Sequence, residues 1–167
     1  MEKCDETERS SAVKDIENAI THAKTIHGYE YLKPAQEEAI TSFLLGNDVF
    51  VSLPTGYGKT VIYELAPTCI DFLATTDVDE TIDYKPALAV VISPLISLME
   101  DQRMRLRSHG VKAVYLNGVD GTIPRDTAVV LASPETMLGP HGRKLLRQQG
   151  DRICGLFVDE SHCIALW

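Results

Sequence analysis

No run of apolar residues in this chain approaches the ~20 that a membrane-spanning helix needs. The N-terminus, Met1-Glu2-Lys3-Cys4-Asp5-Glu6, is acidic and polar and lacks the apolar stretch of a signal peptide. Cysteine is scarce, and Cys4, Cys69, Cys154 and Cys163 form no C-x-x-C pair. That favours free or buried thiols in a reducing compartment, cytoplasm or nucleus, over a metal site. Positive charge is in deficit, 16 Lys and Arg against 24 Asp and Glu, for a net charge of −8. The chain as a whole therefore lacks the basic footprint of a nucleic-acid binder. Internal repeats and low-complexity segments are missing too, which argues against a solenoid and a linker.

What is present is ordinary for a globular domain: 44% hydrophobic and 24% charged residues over 167 positions, enough for a sizeable core. Acidity gathers in the N-terminal tail, residues 1–9, which reads as disordered, and in Asp77-Val78-Asp79-Glu80-Thr81-Ile82-Asp83, which reads as a solvated loop. Basic residues gather at Arg103, Arg105, Arg107 and Lys112, and at Arg143, Lys144, Arg147 and Arg152; each cluster reads first as a solvated helix face. Ser10 or Ser11 is expected to cap a helix running to His27 and stopped by Gly28, and Pro34 to open a second that ends at Leu45, before Gly46. Residues 10–46 thus form an N-terminal helical region. Strands are expected at Asp48–Ser52, Ala87–Ile92, Val111–Leu116, Thr127–Ala132 and Ile153–Val158. Helices are expected from Val61, from Leu95 to His109, and over 135–149 with a break at Gly139-Pro140. Alternating strands and helices imply an α/β domain with a parallel sheet covered on both faces.

Leu53-Pro54-Thr55-Gly56-Tyr57-Gly58-Lys59-Thr60 lies between a predicted strand and a predicted helix, the context that makes a glycine loop a phosphate cradle. Gly56 and Gly58 let the backbone curl so that successive N–H groups face one anion. Lys59 would reach the β- and γ-phosphates, and the Thr60 hydroxyl would hold Mg²⁺. Leu53 stands where the general pattern has glycine, and an ordinary turn is the competing reading. The second signal is Gly155-Leu156-Phe157-Val158-Asp159-Glu160-Ser161-His162, an apolar strand delivering two carboxylates at its C-terminal end. There Asp159 would hold the Mg²⁺ that bridges the phosphates and Glu160 would orient the attacking water.

With Val91-Ile92-Ser93-Pro94-Leu95-Ile96-Ser97-Leu98-Met99 between them, these strings resemble motifs I, Ia and II of RecQ-type ATP-dependent DNA helicases of superfamily 2, DEAH-like, from about Ala23 to Trp167. The resemblance implies a RecA-like P-loop NTPase fold over 47–167, ATP and Mg²⁺ as cofactors, 3′–5′ DNA unwinding, and single-stranded or forked DNA as partner. Carried over by position, Tyr29 would stack on adenine, with Lys33 and Gln36 hydrogen-bonding near it. Thr55, Gly56, Tyr57, Gly58, Lys59 and Thr60 would hold the phosphates, with Lys59 and Glu160 catalytic. Ser93, Pro94, Leu95 and Ser97, with Ser133, Pro134 and Glu135, would meet the sugar–phosphate backbone. His162 and Trp167 would begin an aromatic-rich loop coupling DNA to hydrolysis.

Ser161 replaces the family's usual Ala. The second RecA-like domain and its arginine fingers are expected to be missing from this chain, as is the sheet's final strand, leaving an open edge beside the P-loop strand. Weak nucleotide binding with little hydrolysis is the corresponding expectation, since an arginine finger contributes ~10³–10⁵ in rate. The alternatives are a non-catalytic nucleotide- or nucleic-acid-binding module and another P-loop NTPase.

Overall fold

A computed structural model describes residues 2–54, 56–76, 84–116 and 122–160, with residues 2–10 as backbone only. The chain divides into two compact units, residues 1–82 and 83–167. The first is helical. Helix α1 spans Glu2–Ile26, α2 Pro34–Leu44 and α3 Thr60–Thr76. Helix α1 starts at Glu2, where a disordered tail and a cap at Ser10 or Ser11 were expected; no glycine or proline between them stops it. Its Ile16, Ala19, Ile20 and Ala23 repeat at helical spacing and are buried, and the stripe packs on α3. Helix α3 is buried nearly all round its first two turns, from Val61 to Ala66. It packs on both α1 and α2, so it belongs to the first unit.

Residues 47–54 carry neither helix nor strand, and Phe50 is 84% exposed. The strand expected at Asp48–Ser52 is therefore corrected to irregular backbone: a β-branched run becomes a strand only when another strand accepts its hydrogen bonds.

The second unit is an α/β sandwich. Strands β1 (Leu88–Ile92), β2 (Ala113–Tyr115), β3 (Val129–Ala132) and β4 (Ile153–Val158) form one sheet in the order β2-β3-β1-β4. Every pair is parallel. Helices α4 (Ile96–Ser108), α5 (Pro134–Leu138) and α6 (Pro140–Gln149) make the connections. Leu88 to Val91 and Val129 to Leu131 are fully buried, as a parallel sheet covered on both faces requires. On one face Leu88, Val90, Val130 and Ala132 pack with Leu145 of α6 and Met137 of α5. On the other, Glu100 of α4 accepts a hydrogen bond from Tyr115 of β2 at 2.6 Å. The β1–β4 ladder shifts register once, Leu88 facing Ile153 but Ala89 facing Gly155, so Cys154 bulges.

Each fully buried Leu or Val contributes about 1.5–3 kcal/mol. The ion pairs Lys85–Asp151 and Lys112–Asp126 are exposed and screened by solvent, so the apolar layers dominate. Arg152 adds to the frame from below. It is only 6% exposed, against the solvated face expected for its cluster. Its Nε donates to Pro86 O at 2.8 Å, and its Nη2 to Arg125 O and Thr127 O at 2.8 and 2.9 Å. Its Nη1 donates to Gln149 Oε1 at 3.0 Å, so one guanidinium ties together the segments that enter β1, β3 and β4.

Candidate functional site

In the first unit the site is built on the turn between Leu53 and Thr60. Gly56 and Gly58 have φ of +80° and +94°, values that favour glycine. Tyr57 N donates to Pro54 O at 3.2 Å, closing the turn, and α3 begins directly after it at Thr60. Val61 N and Ile62 N donate to Gly58 O and Lys59 O at 3.2 and 3.1 Å, which ties the first turn of α3 to the loop, and the positive end of the helix dipole there suits an anion. Lys59 folds back and donates to Leu53 O at 3.0 Å. Thr55 lies outside the described residues.

The three residues expected to read adenine are each tied to a neighbour. Gln36 is 7% exposed; its Nε2 donates to Tyr57 O and Gly58 O at 3.1 and 3.0 Å, and its Oε1 accepts from Lys33 N at 2.9 Å. The last contact caps the start of α2 from its third position. A Cβ on Gly58 would come within 2.8 Å of Gln36 Nε2, so glycine is required there for close approach as well as for φ. Lys33 Nζ donates to Tyr57 O at 2.9 Å and lies 4.3 Å from the centre of the Tyr57 ring. Tyr29 donates its hydroxyl to Glu64 at 2.8 Å, a carboxylate on α3 that is 1% exposed. The ring of Tyr29 remains half-buried. Glu64 is a partner that the sequence did not disclose, because it lies inside an apolar helical run.

In the second unit the ladder registers do the positioning. Ile92 lies opposite Ala132 on β3 and Val158 on β4. Ser93, Ser133 and Asp159 therefore leave the sheet side by side at its C-terminal edge, the edge at which ligands bind in open α/β sheets. Asp159 N still donates to Ile92 O at 2.9 Å. Its Oδ1 accepts from Glu160 N at 3.0 Å, and its Oδ2 accepts from Gln102 Nε2 of α4 at 2.5 Å. Glu160 sits at φ +53°, a left-handed conformation unusual for a residue other than glycine and found where a site dictates the backbone.

The residues expected to meet DNA separate into two groups. Ser93 is fully buried, with no partner for its hydroxyl among the described residues. Ser133 caps α5, its Oγ accepting from Thr136 N at 3.2 Å, and Pro134 is buried. Leu95, Ser97 and Glu135 are exposed. The carboxyl of Glu135 is held below its ordinary range by its own backbone N–H and then by the Ser133 hydroxyl. Ser161, His162 and Trp167 lie outside the described residues.

Mg²⁺ takes hard oxygen ligands and usually one or two carboxylates alongside phosphates. Asp159 in the second unit offers oxygens of that kind, each carrying one hydrogen bond and keeping a lone pair open, and Thr60 in the first unit offers a hydroxyl. Taken singly, the donor chemistry of each residue suits such an ion.

Residues 33–167 match the DEAD/DEAH box helicase family. An ATP-dependent DNA helicase RecQ of Haemophilus influenzae is 29% identical over 167 residues, covering 94% of this chain and 24% of that protein. The ATP-dependent helicase wrn-1 of Caenorhabditis elegans is 30% identical over 166 residues, covering 95% and 14%. An ATP-dependent DNA helicase RecQ of Pasteurella multocida is 31% identical over 158 residues, covering 89% and 22%. The chain spans about a quarter or less of the length of these relatives. Among the described residues no helix is long and apolar enough to cross a membrane. A parallel α/β sheet, a glycine loop opening a helix and an Asp-Glu strand end are joined here by a match to one family over most of the chain, and the chain belongs to the DEAD/DEAH box helicase family, with RecQ DNA helicases among its homologues.

Proposed function

We propose that this chain is the ATP-binding part of a RecQ-like helicase that couples ATP hydrolysis to 3′–5′ DNA unwinding, with single-stranded or forked DNA as its partner. The observation that carries the reading is the glycine loop, with left-handed Gly56 and Gly58 leading into Lys59 and the start of α3. Nucleotide binding is proposed for the chain itself. Unwinding, and work with a second RecA-like domain, is proposed for a protein of the relatives' length.

Lys59 would exchange Leu53 O for the phosphates, an exchange favoured because the ammonium then meets full negative charge in place of a neutral carbonyl. Tyr29 would offer its half-buried ring to the base. Lys33 and Gln36 would lie beside it, already fixed to the loop through Tyr57 and Gly58. Thr60 and Asp159 would hold Mg²⁺, which neutralises charge on the phosphates when bound. Glu160 would orient the attacking water. Leu95, Ser97 and Glu135 are the exposed members of the DNA-contacting set, with His162 and Trp167 as coupling residues. A DNA substrate places the protein in the nucleus of a eukaryote or the cytoplasm of a prokaryote.

The test is titration of the purified chain with a fluorescent ATP analogue and Mg²⁺, beside an ATPase assay with and without single-stranded DNA. Saturable binding that Lys59→Ala weakens at least about tenfold is expected, from the loss of a charge-assisted phosphate contact. Binding indifferent to Lys59→Ala would overturn the reading.

A further inference from the structure

Helix α4 turns Met99, Gln102 and Leu106 inward, at helical spacing. Two of the three are hydrocarbon; the middle one is an amide, only 6% exposed. Its Nε2 donates to Asp159 Oδ2, while its Oε1 has no partner among the described residues. A buried amide satisfied at one end only is worse for folding than Leu or Met of similar size, which would continue the stripe. Packing does not account for Gln102, but the carboxylate it holds does.

Asp159 has two donors on two oxygens. Glu160 N is local and moves with the turn, whereas Gln102 reaches it from 57 residues away and is anchored in a packed helix. Together they fix the plane of the carboxylate; with Glu160 N alone the group would be free to rotate about that one contact. The unpartnered Oε1 also lies beside the carboxylate as an acceptor, the type of group to which a metal-bound water donates.

We propose that Gln102 is a positioning residue for Asp159, setting the carboxylate for the Mg²⁺ that accompanies the nucleotide. The inference rests on the reading of Asp159 as the metal-holding residue. Partners of this kind behind a metal ligand are worth about 10–100-fold in metal affinity.

The experiment is a titration of the purified chain with a fluorescent ATP analogue, in EDTA and across MgCl₂ concentrations, for the wild type, Asp159→Asn, Gln102→Leu, Gln102→Met and the Gln102→Leu/Asp159→Asn pair. Wild type should gain affinity with Mg²⁺, and Asp159→Asn should lose that gain. Both Gln102 variants should need about 10–100-fold more Mg²⁺ for half effect. Their affinity in EDTA should be unchanged, and they should melt no lower than wild type. The pair should be no worse than Asp159→Asn alone. A wild type without the Mg²⁺ gain, or an Asp159→Asn that keeps it, sinks the reading of Asp159. Asp159→Asn losing the gain while both Gln102 variants keep it sinks the inference alone. So does loss of EDTA affinity or of melting temperature in both Gln102 variants, which would make the role one of packing.

Discussion

Replacing Gln36 isolates the loop-holding role of α2. Gln36→Ala removes three hydrogen bonds, to Tyr57 O, to Gly58 O and from Lys33 N. A net value of ~0.5–1.5 kcal/mol each gives an upper range of about 4.5 kcal/mol. Two of the three partners keep another contact, since Tyr57 O still accepts from Lys33 Nζ and Gly58 O from Val61 N at 3.2 Å. Lys33 N is left without one. The loss should then be about 2–3 kcal/mol, and at ~2–4 °C per kcal/mol for a chain of this size the melting temperature should fall by about 4–12 °C. Gln36→Glu makes a sharper test. It keeps the acceptor for Lys33 N but turns two donors into an oxygen facing two carbonyl oxygens. Folding then favours the neutral acid and raises its folded-state pKa above the unfolded value. The stability it retains is present below the unfolded carboxyl range and is lost as pH rises through the raised value. Thermal melts from acidic to neutral pH should show Gln36→Glu above Gln36→Ala at low pH, where the neutral acid keeps the acceptor and one O–H donor, and falling beneath it at neutral pH. A Gln36→Glu protein as stable as wild type at neutral pH would refute the hydrogen bonds to the loop.

Arg152→Lys should destabilise the second unit by about 2–4 kcal/mol in denaturant titration, close to Arg152→Ala, because one ammonium cannot reach Pro86 O, Arg125 O, Thr127 O and Gln149 Oε1 together. Equal stability of Arg152→Lys and wild type would contradict the clamp. Burial, and then the hydrogen bond to Glu100, pushes the Tyr115 hydroxyl up to about 12 from an ordinary 10.0. Its folded-state pKa is raised, so the stability it contributes is whole below pH 10 and is lost as pH climbs toward 12. Tyr115→Phe should flatten the stability profile in that window. An ultraviolet titration of tyrosinate should lose a component that ionises toward 12, and an unchanged titration would count against the pair.

Elements with strong local signals were legible. The run Ile153–Val158 is a strand at the bounds expected, and Pro34 opens α2. Gly28, Gly46 and Gly110 take left-handed φ just beyond helices. The candidate site residues stand out in the sequence as motif positions, but the partners that hold them do not. Gln102 and Arg152 owe their roles to groups far along the chain, and an amide or guanidinium in sequence carries no mark of which distant carbonyl or carboxylate it will meet. Asp48–Ser52 failed for the same reason in reverse. Its composition suits a strand, but a ladder needs a second strand, and no local pattern supplies one.

The bulge at Cys154 sets the parity of the site. Side chains alternate along β4, so one extra residue inverts everything that follows it. With the bulge, Phe157 shares the face of Val91 and Tyr115, and Asp159 shares the side on which α4 supplies Gln102. In a straight ladder Cys154 would face Ala89, and Asp159 would project toward the opposite layer. Deleting Cys154 would remove the bulge yet leave Gly155 facing Ala89 and Phe157 facing Val91, so the carboxylate would keep its side. A strand that instead drew Cys154 into the ladder would deliver the carboxylate to the wrong side of the sheet.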